Sequence, residues 1–462
     1  MKISFFGATG TVTGSRHLLE IEGKKLLIDC GLFQGPKKHR LMNWDTFPFP
    51  PAKIDRVLLT HAHIDHTGYL PRFRAGKFSG QIHCTHATRD LCEIMLRDSA
   101  HLQEEDAYWA NKKGYSKHRP ALPLYTVEDA EKALELFQPL HYGEDLFLSN
   151  SLRIKFKDAG HILGSSFVDI KTTKGGQRRK IVFSGDLGRP GRPILRDPVQ
   201  MFEVDYLILE STYGDRLHGE QSPEAEVERV INETAKRRGV LVVPAFAVGR
   251  TQELLFTIRQ LEEQGKIPSL PVHVDSPMAI NVTEIFAKHK ANYDLQAKVL
   301  ELNGISILQP KEIHFSRSRQ QSKALNEIDG EAIIISASGM ATGGRVLHHL
   351  KYRLPRKRDT VLFIGYQAYG TRGRSILEGK DTVKIHGEHV PVRAHIEQLS
   401  GFSAHADYNE ILAWLLGFNR PPRKTFIVHG EPKACSSLAR KIEDKLGWDV
   451  VIPKFKEHFD LD

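Results

Sequence analysis

Along the first 60 residues, apolar and polar positions alternate in short runs broken by glycine. Lys2–Phe6, His17–Ile21 and Lys25–Ile28 read as strands, with Glu22-Gly23 turning between the last two. Arg56–Thr60 is another short apolar strand, and it runs straight into a histidine-rich stretch. Thr88–Ala100 and Thr126–Leu136 have helical periodicity. Leu146–Phe156, Phe167–Phe183 and Tyr206–Leu209 return to strand chemistry. From about residue 211 the rhythm changes. Ser222-Pro223-Glu224 has a capping hydroxyl, a proline at the first helical position and an acid in the first turn, which predicts a helix to Arg238. The strand Val240–Val243, a helix from about Thr251, the strand Val272–Val274, a helix after Pro277 and the strands Ala332–Ile335 and Val361–Ile364 follow. Strands alternating with helices imply a parallel sheet. From about Gln398 the chain adds a helix, the strand Phe426–Val428 and a helix from Ala434. No repeat or low-complexity linker interrupts it, so the middle segment is expected to be an inserted domain.

Composition narrows the class. The chain has 462 residues, 40% hydrophobic and 26% charged, which suits an ordered fold of two or three domains. No apolar run approaches the roughly 18 residues of a membrane span; the longest, Val240–Val248, contains Pro244. Met1–Phe6 meets Gly7 too soon for a signal peptide, so the expectation is a cytoplasmic protein with no membrane partner. Cys30, Cys84, Cys92 and Cys435 form no C-x-x-C pair, which argues against a disulfide framework or a thiolate zinc finger. Histidine, with 23 copies, is the unusual entrant. A net charge of +9 suits a polyanionic partner such as nucleic acid, or simple solubility.

The sharpest chemical signal is His61-Ala62-His63-Ile64-Asp65-His66. Histidines two apart on extended chain point the same way and can share a metal. Asp65 and His66, in the turn after, can face a second metal beside it. Imidazole and carboxylate are the ligands zinc takes where no thiolate is present. The competing reading is a histidine-rich surface loop. Two metals need more than four ligands, and His161 in Ala159-Gly160-His161, Asp186 in Ser184-Gly185-Asp186 and His429 in Val428-His429-Gly430 lie beside small residues where strands end.

With these residues in view, the chain resembles the β-CASP group of metallo-β-lactamase-fold nucleases over nearly its whole length. Asp29, the H-x-H-x-D-H run, His161 and Asp186 match the fold's pattern. Leu209-Glu210-Ser211-Thr212-Tyr213, Ser403-Ala404-His405-Ala406-Asp407 and Val428-His429-Gly430-Glu431 resemble the group's motifs A, B and C. About 240 residues separate Asp186 from His429, room for an inserted domain. The resemblance implies an α/β protein. Its αββα sandwich would be built from residues 1–212 and 398–462, with an inserted parallel-sheet β-CASP domain over 213–397. It implies two Zn²⁺ per chain, one held by His61, His63 and His161, the other by Asp65, His66 and His429, with Asp186 bridging and Asp29 orienting a ligand from behind. It further implies hydrolysis of single-stranded RNA that leaves 5′-phosphate and 3′-hydroxyl ends. Asp65 would act at the metals, and His405, helped by Glu210, would protonate the leaving oxygen. A carboxylate beside an imidazole stabilises its charged form.

In the inserted segment, Ser338, Gly339, Thr342, Gly343 and Arg345 follow an apolar strand, and backbone N–H groups there can cradle a phosphate; a tight strand-to-helix connection explains them equally well. Lys351–Arg358 is a basic run that either tracks a phosphate backbone or is a solvated loop. Phe6–Gly14 looks like a dinucleotide-binding turn, but the hairpin pattern after it denies the required helix. His83, His86 and the pair His348-His349 lack matching partners and are not expected to bind metal. The rival activities are a DNA nuclease of the same fold, a small-molecule thioester or lactam hydrolase, and an RNA-binding module without chemistry. A homodimer stays open.

Overall fold

The structure, a computed structural model, describes residues 1–174, 176–219, 222–365, 367, 370–399 and 401–462. The chain divides into two compact units. Met1–Arg192, Arg196–Leu217 and Ala404–Asp462 form the first; Pro193–Leu195 and His218–Ser403 form the second.

The first unit is built on two seven-stranded sheets. One runs in the order His458–Asp460, Lys2–Phe5, His17–Ile21, Lys24–Ile28, Arg56–Leu58, Gln81–Thr85, Phe137–Leu140. Its first four strands are antiparallel, and from Lys24–Ile28 onward the neighbours are parallel. The other runs Val450–Val451, Lys424–Val428, Tyr206–Glu210, Gln177–Phe183, Ser166–Lys174, Leu152–Asp158, Leu146–Phe147. Alternation decides what each face buries. In Leu152–Asp158, Leu152, Ile154 and Phe156 are fully buried while Arg153, Lys155 and Lys157 are half exposed. Leu152, Ile154 and Phe156 join Ile3, Phe5, Leu26, Ile28, Phe183, Ile208 and Phe426 in one core cluster between the sheets. The outer face of the second sheet is covered by Tyr408–Leu416 and Pro432–Leu446 through Ile411, Leu415, Leu438 and Ile442. Helix His86–Lys113 covers Gln81–Thr85 and Phe137–Leu140 on the first sheet. The layers are therefore αββα, as expected.

The second unit has one parallel six-stranded sheet, ordered Ile313–Phe315, Val272–Val274, Ala332–Ser336, Val240–Pro244, Thr360–Ile364, His395–Leu399. Its central strands are buried on both faces, as parallel strands between helices must be. Pro223–Lys236, Arg250–Glu263 and Pro277–Lys288 supply one apolar layer, Val346–Arg353 and Arg372–Leu377 the other. Among the described residues, no helix is long and apolar enough to cross a membrane.

Several elements differ from expectation for physical reasons. The helix expected over 88–100 runs from His86 to Lys113, because beyond Ala100 only Ala110 is buried and the apolar period fades into solvent. Leu295–Leu302, Ile313–Phe315 and Glu388–Pro391 are short and largely exposed, so they leave little periodic trace, and Thr382–Ile385, which buries Val383 and Ile385, is only four residues long. The basic run 351–358 is not one solvated stripe. Its first three residues end helix Val346–Arg353, and Arg353 is fully buried, 3.5 Å from buried Asp359 and donating to Leu325 O at 2.8 Å.

Asp359 also accepts from Val240 N at 2.9 Å, tying the helix end to a central strand. Removing one member of a buried ion pair leaves the other uncompensated, at a cost of about 3–5 kcal/mol. Asp359→Ala is therefore expected to destabilise the second unit by that amount, read as a lower urea midpoint of its unfolding transition.

Candidate metal centre

The seven sequence-predicted ligands converge in the first unit. Most follow the C-terminal ends of parallel strands. Ile28 pairs with Leu58, so Asp29 lies beside the segment that leads to His61. Glu210 pairs with Val428, which puts the residue after each, Ser211 and His429, side by side. Segment 30–32 hydrogen-bonds along 64–66: Cys30 N to His66 O at 2.7 Å and Leu32 N to Ile64 O at 3.0 Å. Only glycine fits at 31, since a Cβ there would lie 1.6 Å from Asp65 O. The turn holding His161 is fixed by Ser165, whose Oγ accepts from His161 N at 3.0 Å.

The side chains fall into two clusters. Ligating atoms of His61, His63, His161 and Asp186 all lie within 4.8 Å of one another, and so do those of Asp65, His66 and His429. Asp186 faces both. Its Oδ2 is 3.4 Å from Nε2 of His61 and of His161, while its Oδ1 is 3.3 Å from His66 Nε2 and 3.4 Å from His429 Nδ1. His429 Nε2 is 3.1 Å from His66 Nε2 and 3.5 Å from Asp65 Oδ2. Asp186 is only 2% exposed.

The protonation states suit cation binding. Burial, followed by the neighbouring His61 ring, pushes His63 down to about 3. Burial likewise lowers His61 and His161, which favours the neutral form that a metal takes as ligand. Burial alone would raise the Asp186 carboxyl, but His429, His66, His61 and His405 together hold it well below its usual range. His429 and His66 do the same for Asp65 against the same burial. His66 is the exception: burial lowers it, but Asp186 and Asp29 outweigh that and raise it, so a metal would have to displace a proton there.

The residues fit a metal pair on three grounds. His161 Nδ1 and Nε2 and Asp186 Oδ1 are buried without a hydrogen-bond partner. The donors are imidazole and carboxylate only, the set zinc accepts. The backing contacts also orient ligands. Asp29 Oδ2 sits 2.7 Å from His66 Nδ1, its Oδ1 accepts from Thr60 N at 2.8 Å, and Thr212 Oγ1 lies 3.1 Å from His429 Nδ1. Thr60 and Thr212 were not singled out from sequence. Their signal was a hydroxyl residue preceding His61 and following Glu210-Ser211.

Motifs A and B also meet. His405 Nδ1 is 3.0 Å from Glu210 Oε1 and 3.9 Å from Asp186 Oδ2. Glu210 is fully buried and accepts from Leu187 N at 2.8 Å and Thr212 N at 3.0 Å, so its position is fixed by backbone. The His405 side chain is 19% exposed.

The remaining predicted residues lie in the second unit. Ser338 Oγ is 3.0 Å from Thr342 Oγ1. A Cβ at Gly339 would meet the Phe246 ring at 2.8 Å, whereas Gly343 faces open space. Arg345 turns its guanidinium inward, to Asp275 Oδ1 at 2.8 Å, Ser316 O at 2.8 Å and Arg317 O at 2.7 Å. His83 pairs with Gln138 O, away from the cluster. His349 takes part in a structural pair instead: its Nε2 is 2.7 Å from buried Asp275 Oδ2. No helix follows Phe6–Gly14, which leads into strand His17–Ile21, and Ala8 O accepts from His429 N at 2.7 Å.

Comparison with known families agrees with this geometry. Residues 10–243 match the Metallo-beta-lactamase superfamily, residues 251–376 the Beta-Casp domain and residues 389–453 the Zn-dependent metallo-hydrolase RNA specificity domain. Ribonuclease TTHA0252 of Thermus thermophilus is 37% identical over 99% of this chain and 99% of its own.

The chain belongs to the β-CASP family of metallo-β-lactamase-fold hydrolases.

This β-CASP protein is also 29% identical to an RNase J-like protein of Methanocaldococcus jannaschii, over 98% of this chain and 97% of that one. Transcription termination factor FttA of the same organism is 29% identical over 98% of this chain and 70% of its own length. A crystal structure of a protein of unknown function from Enterococcus faecalis V583 superposes with a TM-score of 0.58 at 12% identity, covering 100% of this chain and 99% of that one, which shows a shared fold. As a β-CASP metallo-hydrolase, the chain is a metal-dependent enzyme.

Gly31 tests the delivery of the ligand turn. The clash with Asp65 O means Gly31→Ala must shift residues 64–66. A loss of about 1–3 kcal/mol and a weaker hold on bound metal are the expected outcomes, measured by thermal unfolding and by metal content after dialysis.

Proposed function

We propose that the chain is a two-zinc ribonuclease that hydrolyses phosphodiester bonds of single-stranded RNA in the cytoplasm, leaving 5′-phosphate and 3′-hydroxyl ends. The observation that carries this reading is Asp186, whose two oxygens each face a separate group of imidazoles beside the Glu210–His405 pair. The names of Ribonuclease TTHA0252 and the RNase J-like protein support RNA as the substrate, and so does the basic balance of the chain.

In this reading His61, His63 and His161 hold one zinc and Asp65, His66 and His429 the other, with Asp186 shared. Two zinc ions supply Lewis acidity, lowering the pKa of water and polarising a phosphoryl oxygen. The protein's own groups do the rest. Asp29 takes His66 Nδ1 and so aims Nε2 at the centre. Glu210, immobilised by two backbone amides, holds His405 through Nδ1. In this reading Nε2 is the nitrogen that passes a proton to the departing 3′-oxygen. Ser338, Gly339, Thr342 and Gly343 grip a substrate phosphate, and Arg345 acts from below by holding their loop to Asp275.

Two experiments test this. Purified chain is expected to carry two zinc ions by elemental mass spectrometry, and Asp186→Ala to lose both metal and RNA cleavage, by about 10³-fold or more. Unchanged cleavage would remove the metal centre from the mechanism. Matched DNA strands and chromogenic lactam or thioester substrates, run alongside, separate the rival activities.

For the proton donor, His405→Ala and Glu210→Gln are expected to slow cleavage by about 10²–10⁴-fold with zinc content unchanged. A substrate with sulfur at the 3′-bridging position needs no proton on its leaving group, so both variants should recover most of the loss on it. Equal defects on oxygen and sulfur substrates would show that His405 does not act as the acid.

A further inference from the structure

The long helix His86–Lys113 outlasts its buried face, and its exposed end carries aromatic and basic side chains together. Tyr108 is 57% exposed, Trp109 39% and Tyr115 65%. Lys112, Lys113, Lys117 and Arg119 are interleaved with them and are all exposed. From Ala107 to Val127 there is no Asp or Glu. The basic, aromatic stretch therefore begins just after the acidic triple Glu104-Glu105-Asp106.

The groups are held together rather than scattered. Lys112 Nζ lies 5.0 Å from the Trp109 ring centroid and 5.5 Å from that of Tyr108, and Lys113 Nζ lies 5.2 Å from Trp109. The helix ends at Gly114 in the left-handed conformation (φ 66°). Asn111 then clips the following loop back onto the helix, donating to Ala121 O at 2.9 Å and accepting from Ala121 N at 2.7 Å. Tyr115, Lys117 and Arg119 lie within that closed loop.

Exposed aromatic rings interleaved with cations are what a flexible single-stranded polyanion binds: rings stack bases and lysines meet phosphates. We propose that Tyr108, Trp109, Lys112, Lys113, Tyr115 and Lys117 form a second binding surface for single-stranded RNA, outside the metal centre. This rests on the ribonuclease reading above.

The surface has a defined place. At the start of the helix, Thr85 and Thr88 hydroxyls donate to Gly164 O at 2.7 and 2.8 Å, in the turn that carries His161. At 1.5 Å per helical residue, Trp109 is about 30 Å along the axis from Thr88. A stacked strand rises about 3.4 Å per nucleotide, so roughly nine nucleotides are needed to reach from one to the other. The surface therefore favours long strands over short ones.

The test uses the full chain and two sets of exposed substitutions, Tyr108→Ala with Trp109→Ala, and Lys112→Gln with Lys113→Gln and Lys117→Gln. Affinity for a fluorescent oligouridylate of about 30 nucleotides is measured in chelator across a salt series. Cleavage of a strand of about six nucleotides is measured with zinc. The aromatic pair is expected to weaken the long strand at least about tenfold. The lysine set should reduce the salt slope by ~2, at about 0.7 per lost contact. Short-strand cleavage should stay unchanged in both. Wild-type affinity and slope in both variants would overturn the proposal. So would a dimer that dissociates in the variants while RNA affinity holds, since Leu102 and Leu122, also exposed, would then belong to an interface between two copies. If the wild-type chain cleaves no RNA but the variants still lose binding, the catalytic reading falls and the surface stands.

Discussion

A carboxylate buried to 2% exposure is tolerable only if charge or hydrogen bonds reach it from several sides. Asp186 meets that condition with imidazoles from four separate segments: His61 and His66, His161, His429 and, slightly farther, His405. Each of those segments must therefore end at the same point in space. Much of the first unit's architecture follows from that requirement. The parallel register of Tyr206–Glu210 against Lys424–Val428 returns the chain to the centre after the long second unit. The hairpin Leu152–Asp158 to Ser166–Lys174 supplies His161, and Ser166 N reaches Thr60 O at 2.7 Å to bind the two sheets at that end.

Close approach of backbones is the means by which these ends converge. A Cβ at Gly188 would lie 2.0 Å from Gly160 O, beside the His161 turn. Here small residues matter for the distance they permit, which is why glycine flanks the ligands in the sequence. The cost of such crowding is a backbone with little slack. His429 itself adopts a positive φ of 51° and Asp29 one of 60°, conformations that side-chain-bearing residues seldom take.

What the sequence disclosed depended on how much burial each feature entails. The candidate ligands at 61–66 were legible because metal chemistry favours rare residue types at fixed spacings, and His161, Asp186 and His429 because each lies beside a small residue and matches the fold's pattern; the structure brings the seven together. The buried strands at 240–244, 272–274, 332–336 and 360–364 were legible because parallel strands are apolar throughout. The exposed half of helix His86–Lys113 was not, since propensity without a buried face leaves no periodicity. Thr60, Thr212 and Ser165 were passed over for another reason. A hydroxyl that orients a ligand looks like any other hydroxyl until its partner is placed beside it. Lys351–Arg358 misled in the opposite direction, because charge in a linear sequence does not reveal that Arg353 is folded inward onto Asp359.

The second unit supplies a control for the reading of the first. Asp275 is as deeply buried as Asp186 and also faces a histidine, an arginine and a hydroxyl. Yet both its oxygens are satisfied: Oδ1 by Arg345 at 2.8 Å, Oδ2 by Ser322 at 2.6 Å and His349 at 2.7 Å. His349 is satisfied as well, with Asn326 Oδ1 3.1 Å from its Nδ1. Such a network is closed, and its work is to hold the Ser338–Arg345 loop to the strand end. Around Asp186 the opposite holds, since Oδ1 and both nitrogens of His161 are buried without a hydrogen-bond partner. Buried polar atoms are rarely left so in a folded chain. A cluster of histidines and carboxylates thus points to a ligand when its lone pairs converge with nothing between them, and to structure when every one is already taken.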